Sequence, residues 1–308
     1  MTRESTRPAA LEWRVFRGST AVEAGLLSEN GLRTKGWIRV RHNVYADSRI
    51  ERDHALACRA TLIRLPGDAA VLAGPSAAYV HGVHDAAGPD DPVHVILMRE
   101  RRAGSQSGTR LHRCRLDASD VQGGQLVGDG TVGGEVPVTT PARTAWDVAV
   151  WLPLSEAVAI VDALLFRKAV TPAELSEITE RLAARPGGRR AAHALALCDA
   201  HAETRAESLL RVRLFQAGLP LATARHPVGL GNPPLSWPDH RVALWCDLRR
   251  ADPVDQLRDE AAMLRGLVDR RWTVLQAGPR RLELDFPDVV REIRGALRAS
   301  GWRARYRR

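Results

Sequence analysis

The sequence predicts a multidomain chain of mixed α+β and α/β class. Its 308 residues exceed one ordinary domain, so two or three domains are expected. Its hydrophobic content of 44% is enough for packed cores. Short segments with strand-like alternation are interspersed with longer segments of helical spacing. Together with a polar break, "ARPGGRR" at Ala184–Arg190, these patterns divide the chain into residues 1–50, 51–187 and 188–308.

Residues 1–50 combine helical spacing with one β-ribbon pattern. Helical spacing occurs in "PAALEWRVF", in "GSTAVEAGLL" with the N-cap types Ser19 and Thr20, and in "SENGLRTKGW", which begins with the N-cap type Ser28. "WIRVRHNVYAD" then alternates apolar and basic residues around a turn near His42-Asn43. Two helices, a short helix and a ribbon, in that order, are typical of a winged helix–turn–helix.

The remaining segments alternate between the two kinds of pattern. Residues 51–187 contain the helical "DHALACRATLIRL" and the strand-like "DPVHVILM", "GTRLHRCRL" and "GEVPVTT". In "TPAELSEITERL", Thr171, Pro172 and Glu174 have the types and the spacing of a capped helix start. Residues 188–308 contain the helical "AETRAESLLRVRLFQAGLP", the strands "RVALWC" and "TVLQAG", and a last helix "DFPDVVREIRGALRAS" before a basic tail.

The sequence argues against several classes of protein. No apolar run reaches the roughly 20 residues that a membrane span needs, and no apolar segment follows the first charges, as it would in a signal peptide. The four cysteines form no C-x-x-C pair, which argues against a zinc ribbon or a redox motif. We therefore expect a cytoplasmic protein without a membrane partner.

The charge balance favours a polyanionic partner. The net charge is +9, and Lys35 and Lys168 are the only lysines, so arginine carries almost all of the positive charge. Arginine presents planar donor pairs that match phosphate groups and guanine edges. Double-stranded DNA is the first candidate partner. The alternative explanation is a GC-rich genome, which favours arginine codons, together with a need for solubility.

The expected DNA contacts lie in residues 28–43. In a helix–turn–helix the second helix of the turn enters the major groove, and the ribbon contacts phosphates or a minor groove. The residues expected there are Ser28, Asn30, Arg33, Thr34 and Lys35 on the short helix, and Arg39, Arg41, His42 and Asn43 on the ribbon. The alternatives are a merely solvated face, or a module that binds another protein.

Several blocks in a fixed order carry a resemblance to a known family. They are "LAGPSAAYVHGV", "PVHVIL", "GTRLHRCRL" and "VPVTTPARTAWDVA" in the middle, and "AESLLRVRLFQAGLP", "WPDHRVALWCD" and "LRDEAAMLRGLVDRRWTVL" in the last third. The chain resembles actinobacterial proteins that join an AbiEi-type antitoxin winged helix to a domain related to very-short-patch-repair endonucleases. This resemblance implies a winged helix at 1–50, an AbiEi-like α/β domain at 51–187, and a restriction-endonuclease-like (PD-(D/E)XK-related) domain at 188–308.

The resemblance also implies that the nuclease-like site has lost carboxylates. Glu207 and Asp247 match two acids of the family, but Pro234 and Trp245 stand where the other two are expected. Proline and tryptophan cannot ligate the magnesium that such acids hold. Glu207 and Asp247, with Asp239 as a helping acid, are therefore remnant candidates only, and ion pairing with arginines is the simpler role for Glu207 and Asp247.

These observations favour a duplex DNA-binding regulator that does not cut. The nuclease-like domain would add DNA contacts through arginines such as Arg249 and Arg250. No cofactor is expected in this case. One alternative is a magnesium-dependent endonuclease with a rearranged site. Another, implied by the resemblance, is an antitoxin that represses its own operon and binds a cognate toxin protein.

Overall fold

The computed structural model describes residues 7–65, 70–98, 107–126, 135–228, 232–246 and 264–303. The chain divides into two compact units, Met1–Val148 and Ala149–Arg308. Both units combine helices with β-sheet, so the predicted mixed α/β class is confirmed. The finer boundaries near residues 50 and 187 stay predictions.

The first unit begins with a three-stranded antiparallel sheet and short helical turns. In chain order these are a 3₁₀ turn at Ala9–Leu11, β1 (Val15–Arg17), α1 (Gly18–Glu23), a 3₁₀ turn at Gly31–Arg33, β2 (Trp37–Arg41) and β3 (Val44–Asp47). The strand order is β1-β3-β2. Leu11, Ala21 and Trp37 form the buried centre, with Phe16, Leu27 and Tyr45 packed around them. The predicted ribbon and its turn at His42-Asn43 are confirmed.

Two predicted helices of this segment are wrong in extent. The spacing in "PAALEWRVF" comes from one 3₁₀ turn and the start of β1, because the chain reverses at Trp13 with a φ of 54°. The predicted helix at "SENGLRTKGW" contains only the three-residue turn Gly31–Arg33. Ser19 and Thr20 do not cap α1, which begins at Gly18; the Asn43 side chain instead accepts the Ser19 backbone N–H at 2.9 Å.

The carboxylate of Asp47, buried at the end of β3, connects three segments. It accepts the backbone N–H groups of Trp13 and Arg49, each at 3.1 Å, and the Arg49 Nη2 at 2.6 Å. Burial alone would raise the pKa of Asp47, but the hydrogen bonds from Arg49 and Trp13 lower it from 3.8 to about 2. The ionised form of Asp47 is therefore part of what stabilises this sheet.

A dependence of stability on pH follows from Asp47. Because its pKa is lower in the folded chain than in the unfolded chain, its contribution is complete above the unfolded value and is lost as the pH falls towards 2. The shift corresponds to about 2 kcal/mol. In urea titrations, we expect the stability difference between wild type and Asp47→Asn to shrink by this amount between about pH 5 and about pH 2. Asp85→Asn, at an exposed aspartate, is the control; a difference for Asp47→Asn that does not change with pH would contradict the assignment.

Helix α2 (His54–Arg64) supports the three-stranded sheet from its other side. Its N-cap is Asp53, whose carboxylate accepts the Leu56 N–H at 2.8 Å. Leu56 packs with Ala46 and Ile50, and the side chains of Val15, Ile38 and Val40 complete this cluster. Arg17 at the end of β1 donates to the Ile63 and Arg64 carbonyls, at 2.8 and 3.2 Å, and so fixes β1 to the last turn of α2.

A five-stranded mixed sheet completes the first unit. It consists of β4 (Ala70–Leu72), β5 (Val93–Leu97), β6 (Thr109–His112), β7 (Val121–Gln125) and β8 (Glu135–Thr139), in the order β6-β5-β4-β8-β7, with α3 (Gly74–Val80) packed against it. The strands predicted from "DPVHVILM", "GTRLHRCRL" and "GEVPVTT" are confirmed. Strand β7 was not predicted, since its "VQGGQ" contains two glycines. Gly124 is needed there, because a Cβ would lie 2.7 Å from side-chain atoms of Val80 and Val138.

A buried arginine connects α4 (Pro141–Trp151) to the turn before β7. The Arg143 guanidinium is 2% exposed; it donates to Asp120 at 2.8 Å and to Asp147 at 2.9 Å. It also donates to the Arg115 carbonyl at 3.3 Å. A buried cation with two carboxylates and a carbonyl is well compensated, so this network contributes to one specific packing of α4.

The second unit begins with helices. They are α5 (Leu154–Phe166), α6 (Pro172–Leu182), α7 (Gly188–Leu195) and α8 (Arg205–Gln216). The predicted cap of α6 is confirmed, because Thr171 and Glu174 exchange side chain to backbone hydrogen bonds at 3.2 and 2.7 Å. Buried Asp162 of α5 accepts from Arg211 and Ser208 of α8, both at 2.7 Å. None of the helices in the described part of the chain is long and apolar enough to cross a membrane.

A four-stranded sheet and two C-terminal helices complete the second unit. The strands are β9 (Thr223–Ala224), β10 (Leu235–Trp237), β11 (Val242–Trp245) and β12 (Thr273–Gln276), followed by α9 (Pro279–Leu284) and α10 (Phe286–Ala299). The order is β12-β11-β10-β9, with β11 and β12 parallel and the other pairs antiparallel. Residues 264–269, between β11 and β12, are helical. Leu214, Leu235, Leu244 and Ile293 are among the fully buried residues of this core.

Candidate nucleic-acid interface

The β2–β3 ribbon directs its two arginines to different places. Simple alternation predicts that Arg39 and Arg41 lie on one face. The pairing register shifts between Arg39 and Arg41, and such a bulge reorients the residues that follow it. Arg39 is exposed, whereas Arg41 is half-buried and donates to the Gly108 carbonyl. Both residues line a pocket that also includes Asp53 and Leu56. The two arginines therefore differ in exposure and in partners, and the expectation that they share one face stays a prediction.

Arg41 is engaged inside the first unit. Its Nη2 donates to the Gly108 carbonyl at 3.1 Å, directly before β6. A Cβ on Gly108 would lie 2.8 Å from the guanidinium, and Gly108 also has a φ of 72°, so the contact requires glycine. Burial lowers the pKa of Arg41. These contacts give Arg41 a role in connecting the ribbon to the five-stranded sheet.

Asn43 is also engaged within the fold. Its φ of 58° is the left-handed conformation that the ribbon turn requires. Its Oδ1 accepts the Ser19 N–H at 2.9 Å, and its Nδ2 donates to the Ser19 hydroxyl at 3.0 Å. Its side chain therefore joins the ribbon turn to the start of α1, while its neighbour His42 is exposed.

The segment before β2 presents most of its predicted contact residues to solvent. Ser28, Asn30, Arg33 and Lys35 are exposed, and Thr34 is partly buried. The Ser28 hydroxyl accepts the Gly31 N–H at 3.1 Å, and the Thr34 hydroxyl donates to the Gly31 carbonyl at 2.8 Å. These two hydroxyls fix the 3₁₀ turn, so they have a structural role in addition to any contact with a ligand.

Arg39 lies on the same side of the sheet as the 3₁₀ segment. Alternation along β2 places Arg39 on the face of Trp37, and Trp37 packs with Leu27, the residue before Ser28. Within the described ranges, Arg33, Lys35 and Arg39 form no ion pair. These three exposed cations, with Asn30 and His42 near them in sequence, are what remains of the predicted DNA surface. We call these five residues the basic face.

In the second unit, Glu207 is linked to the Pro234 backbone through Arg225. Glu207 is on α8 and is 1% exposed. Its Oε1 accepts from the Arg225 guanidinium, and its Oε2 accepts the Glu203 N–H at 3.0 Å. The Arg225 N–H donates in turn to the Pro234 carbonyl at 3.3 Å. The first predicted remnant acid is thus paired with an arginine, which was the simpler of its two predicted roles.

The strand pair β10–β11 places the other candidate residues of the nuclease-like site at opposite ends of the pair. Leu235 pairs with Leu244, so Pro234 and Trp245 lie at the same end of the antiparallel pair. Asp239 is in the turn at the opposite end, roughly 10 Å away along a three-residue strand. Asp239 is exposed and cannot assist Glu207, so that expectation is wrong. Asp247, Arg249 and Arg250 lie outside the described residues.

The described residues contain no group of three or more His, Cys, Asp or Glu side chains placed to hold a metal ion. Among the described residues, two carboxylates are linked to this end of the sheet: Glu207, whose charge is compensated by Arg225, and Asp199, which accepts the Ala224 N–H at 2.9 Å. Proline and an apolar indole supply no hard oxygen ligand to a divalent cation. The described side chains at this end of the sheet therefore do not fit a magnesium site.

Comparisons with known proteins give uncharacterized sequence relatives and a structural match of low score. No family model matches the chain. The uncharacterized proteins MT2308 and Rv2248 of Mycobacterium tuberculosis, from strains CDC 1551 / Oshkosh and ATCC 25618 / H37Rv, are each 31% identical over 144 residues. This is 44% of the chain and 53% of each relative, so the chain spans about half the length of the curated relatives it matches. The crystal structure of the RV2827C protein of the same species has a TM-score of 0.41 and 21% identity, covering 59% of this chain and 71% of that one.

Arg225 is the residue of this site that the sequence did not indicate. It follows a two-residue strand in the left-handed conformation, with a φ of 47°. That backbone conformation is rare for arginine, and it brings the guanidinium to Glu207 and Glu203. The signal that could have indicated it is weak: a lone arginine shortly before strands β10 and β11, beside the position of Pro234.

Proposed function

We propose that this protein binds double-stranded DNA through its first unit and acts as a regulator rather than as a nuclease. The observation that supports this best is the basic face, where Arg33, Lys35 and Arg39 are exposed and form no ion pair among the described residues. A fixed protein surface with several free cations attracts the DNA backbone and displaces its counterions.

The shape of the first fifty residues fits this use. The order of turn, strand, helix, turn and two strands, with β1 beside β3, is compatible with the winged helix–turn–helix that we infer, with shortened helices. Its ribbon is rigid, because Arg41 and Asn43 tie it to Gly108 and Ser19. A rigid ribbon loses little conformational entropy when it binds, which favours affinity.

The second unit supports the non-cutting part of the proposal. Its order of helix, three antiparallel strands, helical segment and parallel strand is compatible with a nuclease-like fold. Catalysis would need several oxygen ligands at one end of the sheet. At that end the described residues include Glu207, held by Arg225, and Asp199, which accepts the Ala224 N–H, together with Pro234 and Trp245.

Fluorescence anisotropy with a mixed-sequence duplex tests the binding. Arg33→Gln with Arg39→Gln should weaken binding roughly tenfold and reduce the slope of log K against log salt by about 2, because two phosphate contacts are lost. The matched control is Arg110→Gln with Arg113→Gln, which removes the same charge from exposed positions on β6 and directly after it. The control should retain nearly the wild-type affinity and slope.

Two results would contradict the proposal. Equal weakening by both double variants would mean that only net charge attracts the DNA. Nicking of the duplex by the wild type in magnesium or manganese, lost in Asp247→Asn, would favour the endonuclease instead. Arg41 is not a suitable test residue, because its loss would also disturb the contact with Gly108.

A further inference from the structure

A cleft of about 390 Å³ lies within the first unit, apart from the basic face. Its wall comes from β1, the last two turns of α2 and the first residues of β8. Val15, Leu62, Ile63 and Val136 make much of this wall apolar. The volume lies within the range of sites that hold small organic ligands, which are mostly apolar with a few placed polar groups.

One polar group of this cleft is the Arg59 guanidinium, whose Nη2 has no partner among the described residues. The Arg59 Nη2 is enclosed and has no hydrogen-bond partner among the described residues. Burial lowers the pKa of Arg59, and no neighbouring carboxylate offsets that effect. A buried donor without an acceptor is costly and rare in folded proteins, so its presence in a cleft indicates a place for an anion.

The backbone at the rim of the cleft is strained at Trp13. Trp13 has a φ of 54°, which is unusual for a bulky side chain, and its N–H is held by Asp47. The Arg49 guanidinium lies 4.4 Å from the centre of its ring. Strained backbone that is fixed by its surroundings is concentrated at binding sites. Arg14, the next residue, is exposed and lines the same cleft.

We propose that this cleft binds a small organic acid with a planar apolar body. The carboxylate of the ligand accepts hydrogen bonds from Arg59 and is also attracted by Arg14. The planar body lies between the Trp13 ring and the apolar side chains Leu62 and Val136. This arrangement satisfies the Arg59 donor and covers the apolar wall at the same time.

The charges around the cleft select a monocarboxylate over a phosphate. Glu135, which also lines the cleft, is exposed and extends across Gly123, where a Cβ would lie 1.5 Å from its Oε1. Its negative charge opposes a second charge on the ligand. One enclosed cation in a mostly apolar cleft matches a single carboxylate. None of the lining residues belongs to the basic face, so the site does not depend on DNA binding.

Calorimetric titration of the full chain with 2-naphthoate tests this site. We expect saturable binding with a Kd near or below about 1 mM. Arg59→Met should weaken it roughly tenfold or more, because a charge-assisted hydrogen bond is lost. Arg14→Gln, at an exposed position, should weaken it by a smaller factor. Arg64→Met, on the same helix but outside the cleft, is the matched control and should bind like wild type.

The neutral analogue 2-naphthalenemethanol separates carboxylate recognition from general apolar binding. It should bind the wild type at least several-fold more weakly than 2-naphthoate, and Arg59→Met should bind both compounds equally. Circular dichroism checks that each variant is folded. The proposal is overturned if the wild type shows no saturable binding, if the alcohol binds as well as the acid, or if folded Arg59→Met and Arg14→Gln both retain the wild-type affinity.

Discussion

Replacing Arg143 with methionine is expected to destabilise the first unit by about 3–5 kcal/mol. The side chain is 2% exposed, and the substitution leaves the buried carboxylates of Asp120 and Asp147 without their cation. Methionine fills much of the volume, so the loss arises mainly from uncompensated charge and not from a cavity. A loss of this size is a large part of the stability of an ordinary domain.

Urea unfolding monitored by circular dichroism measures this effect. Arg115→Met is the matched control, because the Arg115–Asp117 pair is exposed and should be worth less than about 1 kcal/mol. Adding Asp120→Asn and Asp147→Asn to Arg143→Met should recover part of the lost stability, since the unpaired charges are then removed. If Arg143→Met unfolds at the same urea concentration as Arg115→Met, the network does not stabilise the unit.

Much of the fold was predictable from local patterns. The ribbon at "WIRVRHNVYAD", the strands at "DPVHVILM" and "RVALWC", and the cap at Thr171 depend on alternation, β-branched residues and local hydrogen bonds, and all are present. The mixed α/β class follows from these elements. The three predicted domain boundaries stay predictions beside the two compact units.

The features that were missed depend on contacts between distant residues. Strand β7 exists because Gly124 fits beneath Val80 and Val138, which propensity alone cannot indicate. The contact of Arg41 with Gly108, after the bulge in β2, engages one DNA-binding candidate within the fold. The basic face could be predicted in part, since Arg33, Lys35 and Arg39 are exposed as a surface contact requires, whereas Asn43 is used by the fold.

Replacing Glu207 with glutamine is expected to destabilise the second unit by about 3 kcal/mol. Glutamine retains the shape of the side chain and an oxygen that can accept the Glu203 N–H, so the change removes mainly the negative charge. The Arg225 guanidinium, whose side chain is 14% exposed, then keeps only the more distant Glu203 carboxylate at 3.5 Å. The expected loss therefore comes from a poorly compensated cation inside the fold.

A double-mutant cycle isolates the pair. Glu207→Gln, Arg225→Met and the double variant should give a coupling free energy of about 2 kcal/mol in urea unfolding. The control is Glu292→Gln, which breaks the exposed pair of Arg281 and Glu292 in the same unit and should cost less than about 1 kcal/mol.

The same variants distinguish a structural acid from a metal ligand. A carboxylate that serves as a magnesium ligand is repelled by the neighbouring ligand carboxylates when the metal is absent. Neutralising it then leaves the stability unchanged or raises it. Magnesium raises the unfolding temperature of the wild type in that case. A carboxylate paired with Arg225 gives the opposite pattern: Glu207→Gln lowers the unfolding temperature, and magnesium shifts neither protein. A magnesium-dependent rise in the unfolding temperature of the wild type that disappears in Glu207→Gln would show that this end of the sheet still binds metal. That result would favour the endonuclease hypothesis over the regulator.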